Sequence, residues 1–346
     1  MIKEHYYWLD WMKAIGMYFI VAGHLEPVGL DYIYVFSVPT FFCISGFLTK
    51  KEENKVVFWN KNWHNLILPC IIISTIMYAF DIMLDAVHGR FSPKLIPYRI
   101  LNCVMGVHGL NTEAGGLGNC WFIYTLVICR IFYQYTFNKK LLNFFLIATC
   151  ICVAIYYNMQ TETIYNSILN TSLAYPFFII GRGGKFLYSK FQAHINNIPI
   201  LIHCAFFAVN ILMIYIVGRA NGAPWMFEAH YGKNMLLFFI GGICGTIALF
   251  IISYFMNSIR LSIIDIISRG TIVILGFQFI IIQVYYHVPK GWLGAIGDYL
   301  AAIVIILIFV PVIIFVERYI PAILGYRAVN MDEGFIHNPK NESHSY

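Results

Sequence analysis

LDWMKAIGMYFIVAGH, residues 9–24, is an apolar run that keeps three ionisable side chains: Asp10, Lys13 and His24. At about 100° per residue, Lys13 and His24 lie only about 20° apart around a helix, and Asp10 lies roughly 60° from Lys13. All three share one face. At a rise of ~1.5 Å per residue, His24 stands roughly 16 Å along the axis from Lys13, so one helix offers a charged mouth and a deep imidazole. Ionisable groups inside an apolar span are costly and mark a protein interior or a watery cavity, which makes each a site hypothesis. The competing reading is an ordinary i, i+3 pair at a membrane surface, with His24 as an interfacial residue ending the helix.

Composition sets the solvent. The 346 residues are 60% hydrophobic, 17% aromatic and only 12% charged, with a mean hydropathy of +0.70. Those values lie far from soluble averages and read as an all-α, polytopic transmembrane helix bundle in a lipid bilayer. The net charge of +6 does not point to a nucleic-acid partner, because the basic residues fall in short clusters between apolar spans, as topology signals do. MIKEHYYWLD at the start lacks the basic region, short apolar core and small-residue cleavage site of a signal peptide, so the first span is expected to be a retained anchor. Nine cysteines, mostly single residues inside apolar spans and with no Cys-x-x-Cys, read as small core hydrophobes; no metal site is expected.

Fitting ~20-residue spans between polar breaks gives ten: 9–26, 31–48, 66–84, 118–136, 141–157, 164–181, 198–217, 234–256, 271–288 and 294–316. The longest connections, 85–117 and 182–197, have too little apolar periodicity for a core of their own, so residues 1–346 read as one membrane domain. With the N-terminus inside, the cytoplasmic connections hold fifteen Lys and Arg, including Lys50, Lys51, Lys55, Lys61, Arg182 and Lys185, against six outside. That split puts both termini in the cytoplasm, Asp10 and Lys13 near the inner face, and His24 deeper toward the outside.

Several motifs follow in order. The second span holds Pro39 and Ser45-Gly46, which loosen helix bonding and permit close approach; helix packing competes there with direct chemistry. The basic, aromatic stretch KKEENKVVFWNKNWHNLILP suits phosphates or anionic lipid headgroups equally. The outer connection carries His108 and Glu113, plausible contacts for a polar acceptor as well as ordinary solvated residues, then Gly115-Gly116-Leu-Gly118 and Trp121-Phe122. Its glycines lack the strand and spacing of a dinucleotide fingerprint. A second outer loop around Trp225, Glu228, His230 and Tyr231 mixes aromatics with polar groups, as both sugar-binding surfaces and membrane interfaces do.

Taken together, these residues resemble the acyltransferase 3 family of integral membrane O-acyltransferases, of the sugar and exopolysaccharide acetylase type. The resemblance rests on Asp10, Lys13 and His24, where many members have Arg at the Lys13 position; on Pro39, Phe41-Phe42 and Ser45-Gly46-Phe47-Leu48; and on Leu66-Ile-Leu-Pro69, Trp121-Phe122, Tyr175-Pro176-Phe177-Phe178 with Gly181, and the closing Tyr319-Ile-Pro321-Ala-Ile-Leu-Gly325. They occur in the family's order over nearly the whole chain. Two positions depart: related sugar acetylases commonly carry histidines where this chain has Ser37 and Gln278.

The resemblance implies about ten helices and transfer of an acyl group, usually acetyl from acetyl-CoA, to a glycan or glycolipid hydroxyl. The chain would sit as a multi-pass protein in the plasma (inner) membrane, with the acyl-CoA a co-substrate and no bound cofactor. His24, with an imidazole near pH 7 in reference pKa, is the expected catalytic base. Asp10 and Lys13 would support the donor; Ser45, Trp121, Glu113 and Gln278 are secondary candidates. A transporter or flippase of a polar lipid or sugar, and a catalytically silent scaffold, are the alternative readings.

Overall fold

The computed structural model describes residues 5–105, 120–159, 167–195, 197–287 and 296–325. The described chain is helical throughout: α1 (Tyr7–His24), α2 (Leu30–Tyr34), α3 (Ser37–Leu48), α4 (Lys55–Asn62), α5 (Leu68–Val87), α6 (Ile96–Met105), α7 (Cys120–Thr136), α8 (Lys140–Asn158), α9 (Ser167–Ile195), α10 (Ile200–Asn221), α11 (Met235–Phe255), α12 (Ser262–Arg269), α13 (Thr271–Tyr286) and α14 (Gly297–Tyr319). Extended pairing among the described residues is limited to one isolated bridge between Trp225 and His230. In lipid this is the expected outcome, since an apolar chain must satisfy its backbone polar groups internally.

Helices lie at all ten expected positions, but length and apolarity alone qualify six of them to cross a membrane, or seven if α12 and α13 form one broken span. The other three helices at expected span positions are α1, which carries Asp10 and Lys13, α7, which has 17 residues, and α9, which is polar over its second half. Three boundaries also differ from the sequence reading. The basic stretch before residue 66 is not a loop: α4, capped by the Asn54 side chain on Val56 N–H, runs into α5 through a π turn at Trp63–Ile67. There Leu68 N–H reaches back to Trp63 O, and the widened turn immediately precedes Pro69, which has no N–H to donate. Residues 182–195, read as a connection, continue α9. Between α11 and α13, the short α12 meets α13 at 83° around Gly270.

Apolar surface gives helices little reason to associate in lipid, so close packing must do so. The tightest crossing is α3 on α9. A Cβ on Gly46 would run into the Phe178 carbonyl, and one on Gly181 into the Cys43 carbonyl, so the two backbones touch directly. Cys43 Sγ–H donates to Phe177 O across the same contact at 3.2 Å. Phe42, Phe177, Phe178 and Tyr175 are fully buried around it. With α9 behind it, α3 presents its other face to a cavity.

Candidate functional site

The cavity has a volume of about 660 Å³ and lies between α1, α3, α7 and α13. Lys13, Met17, Ile20 and His24, at helical spacing on one face of α1, all line it. Opposite stand Val38, Phe41, Ile44 and Ser45 of α3, Trp121 and Leu126 of α7, and Thr271, Leu275 and Phe279 of α13. Most of the wall is apolar, so the two ends carry the chemistry.

At the first end, Ser268 Oγ–H donates to Asp10 Oδ1 at 2.5 Å, and Lys13 Nζ donates to Ser268 Oγ at 3.3 Å. Asp10 and Lys13 thus communicate through a serine of α12 rather than by a direct ion pair. Asp265, on the turn before Ser268, adds a second negative field at Lys13. His5 Nε2 lies 2.7 Å from Asp10 Oδ2, although this oxygen makes no hydrogen bond of good geometry. The break at Gly270 is what lets α12 lie across α1 and present Ser268, while α13 starts anew at Thr271 on the cavity wall.

At the other end, His24 is half-buried, and its Nδ1 is shut away from solvent with no hydrogen-bond partner. The Gln278 side chain and the Ile20 carbonyl are the polar groups near enough to interact with the imidazole. Gln278 is itself fully buried, its Nε2 donates to Leu275 O at 3.3 Å, and its Oε1 is unpartnered. Phe279 meets the imidazole edge-on, with ring centroids 4.9 Å apart. Two tyrosines fix the end of α1 here: Tyr34 Oη–H donates to Gly23 O at 3.0 Å and Tyr286 Oη–H to His24 O at 3.1 Å.

Residues 224–227 line this end. Their loop turns inward because asparagines pin it: Asn221 Nδ2 donates to Tyr231 O at 2.8 Å, Tyr231 N–H to Asn158 Oδ1 at 2.6 Å, and Asn170 Nδ2 to Phe227 O at 3.1 Å. Pro224, Trp225 and Phe227 therefore line the cavity, with Tyr34, Tyr286 and Glu26 beside them. Tyr231 instead is fully buried, stacked on Phe238.

The structure thus brings His24, Lys13, Ser45 and Trp121 to one cavity, with Asp10 behind Lys13 and Gln278 behind His24. Ser37, buried with an unpartnered Oγ, also faces the cavity. Glu113 and His108 lie outside the described residues. Ser268, Tyr286 and Phe279 were not foreseen; their contacts with α1 join residues more than 240 positions apart, which no local periodicity encodes. Among the described residues, no group of three or more His, Cys, Asp or Glu is arranged around a metal position.

No curated protein and no solved structure matches the chain. A family model described as an acyltransferase domain matches residues 6–316. That span takes in both ends of the cavity and every helix that lines it, and on it the chain belongs to the acyltransferase 3 family as a multi-pass membrane acyltransferase.

Proposed function

We propose that the protein transfers an acyl group, acetyl in the first instance, from cytosolic acyl-CoA to a hydroxyl of a cell-surface or exported glycan, as an O-acetyltransferase of the plasma membrane. The observation that carries this reading is the single cavity joining Lys13 to His24. A thioester arm entering at the Lys13 end can lie along α1, its reactive carbonyl beside the imidazole. The glycan enters from the opposite end, where Trp225, Phe227 and Tyr34 offer ring faces and Glu26 a hydrogen-bond acceptor.

The chemistry then follows. With the proton on Nδ1, the Nε2 lone pair is left as the base. Nε2 takes the proton of the acceptor hydroxyl as its oxygen attacks the thioester carbonyl carbon. The tetrahedral intermediate collapses, the C–S bond breaks, and the imidazolium returns the proton to the departing CoA sulfur. The new C–O bond is the ester, and the histidine is regenerated. Lys13, held by Ser268 and Asp10, supplies positive charge where the donor enters.

The transporter reading draws some support from the broken α12–α13 pair. Transport folds set such breaks in corresponding halves, and among the described residues no second bent pair is present. The direct test is CoA release from acetyl-CoA by the purified protein, with and without a polysaccharide acceptor. Acceptor-stimulated release supports the transferase; transport of an intact sugar or lipid without thioester cleavage overturns it.

A further inference from the structure

A second cluster of charge lies outside the site already described, on the side that the Lys and Arg count assigns to the cytoplasm. Arg130 of α7 stands one helical turn beyond Leu126, which lines the cavity. Its Nε is shut away from solvent and has no hydrogen-bond partner. The negative field it feels comes from Glu52, but that carboxylate is already taken by Lys61, Nζ to Oε1 at 2.6 Å. The Glu52 backbone is fixed as well: its N–H donates to Gln134 Oε1 at 3.1 Å and its carbonyl accepts from Gln134 Nε2 at 2.6 Å. Arg130 is therefore left undercompensated.

On the facing helix α9, Arg182 lies over the Tyr133 ring, three residues on from Arg130, and Lys185 lies over the Phe47 ring. Lys185 feels the positive charges of Arg182 and Lys50. Holding like charges together is unfavourable unless an anion joins them. Between Arg182 and Lys185 come Gly183 and Gly184, where an added Cβ would meet nothing within 4 Å. Glycine weakens a helix interior relative to alanine, and here no packing explains it, in contrast to Gly181 one turn earlier. At about 100° per residue the two glycines point away from the side of α9 that carries Arg182 and Lys185, so they leave the cation cluster itself to those side chains.

The geometry points to a phosphate-binding recess formed by Arg130, Arg182 and Lys185 where α7 faces α9, which holds the nucleotide phosphates of the acyl-CoA donor while the thioester arm runs on into the cavity. This rests on the transferase reading above. Lys13 already has Ser268 and Asp10 as partners, so the undercompensated cationic charge near the inner end of the cavity is here. The same phosphate chemistry belongs to anionic lipid headgroups, and the test separates the two.

The experiment measures binding of CoA and of 3′-dephospho-CoA to the full-length protein in phosphatidylcholine nanodiscs, and its retention on phosphatidylglycerol vesicles. The variants are Arg130→Gln and Arg182→Gln, each with its thermal stability measured, and Gly183→Ala as a control on the other side of α9. The expected result is that Arg130→Gln weakens CoA binding about tenfold or more, the scale of a lost charge-assisted hydrogen bond, and narrows the preference for CoA over its dephospho form. Arg182→Gln weakens CoA binding in the same way at unchanged Tm, while Gly183→Ala binds CoA as the wild type does. Loss of binding at unchanged Tm excludes misfolding as the cause. Arginine variants that bind CoA as the wild type does overturn the recess, and so do arginine variants that lose only vesicle retention, which would make it a headgroup site. A wild type that binds no CoA at all overturns the transferase reading together with it.

Discussion

Alanine at Gly46 makes the sharpest statement about what holds this bundle together. The new Cβ would sit inside the van der Waals envelope of the Phe178 carbonyl, its carbon and its Cα. None of these is the movable end of a side chain, so α3 and α9 must separate as bodies. Overpacking of this kind costs about 3 kcal/mol, toward the upper end of its range, and for a chain this long that lowers Tm by roughly 5 °C. The separation also weakens the Cys43 to Phe177 hydrogen bond and the seating of the four buried aromatics. Gly181→Ala meets the Cys43 carbonyl across the same crossing, so the double variant should lose less than the sum: the helices part once. Gly183→Ala, on the same helix but in open space, is the internal control and should leave Tm unchanged or raise it. Thermal unfolding of purified protein in one detergent reads all four. Equal shifts for Gly46→Ala and Gly183→Ala would refute the argument that direct backbone contact locks α3 to α9.

Other outcomes follow from the site and from topology. Ser268→Ala removes the link between Asp10 and Lys13 and should raise the apparent KM for acyl-CoA several-fold with little change in acceptor KM; equal effects on both would make the serine merely structural. Lys13→Ala should act on the donor in the same way, while Lys13→Arg, which keeps the charge, retains activity. Gln278→Leu removes the polar side chain that acts on the His24 imidazole and should lower kcat and displace the pH profile, with Gln278→Glu restoring part of the rate; an unshifted profile removes Gln278 from the mechanism. Reporter fusions after Lys55, Lys140 and Lys190 should read as cytoplasmic and one after Ala229 as external, and a cytoplasmic signal at Ala229 would invert the proposed orientation.

Much of the fold was legible because apolar length and helical spacing are local properties. The face shared by Lys13 and His24 was visible at 100° per residue, and both side chains line one cavity. The Gly46 and Gly181 positions were visible as motifs, but their meeting was not, since it joins two segments far apart in sequence. Polar residues misled where helices leave the apolar zone: α9 continues through Arg182-Gly-Gly-Lys185, and α4 through Lys55 to Asn62, because helix bonding is as available outside lipid as within it. In the sequence, residues 257–270 read simply as the connection between two spans. Only in three dimensions does the 83° turn bring Ser268 against Asp10 and Lys13.

The central claim is that His24 is the base of an acyl transfer carried out within the cavity. His24→Gln tests it most directly, since glutamine keeps size and hydrogen bonding but has no proton acceptor of comparable basicity. The measurement is the rate of acyl transfer from acetyl-CoA to a polysaccharide acceptor by purified wild-type and variant protein at matched amount and matched Tm. The account predicts a fall of about 10² to 10⁴ in kcat, the usual cost of losing a general base, with CoA binding retained. Transfer at the wild-type rate with glutamine at position 24 would contradict it and leave His24 as a packing residue at the end of α1.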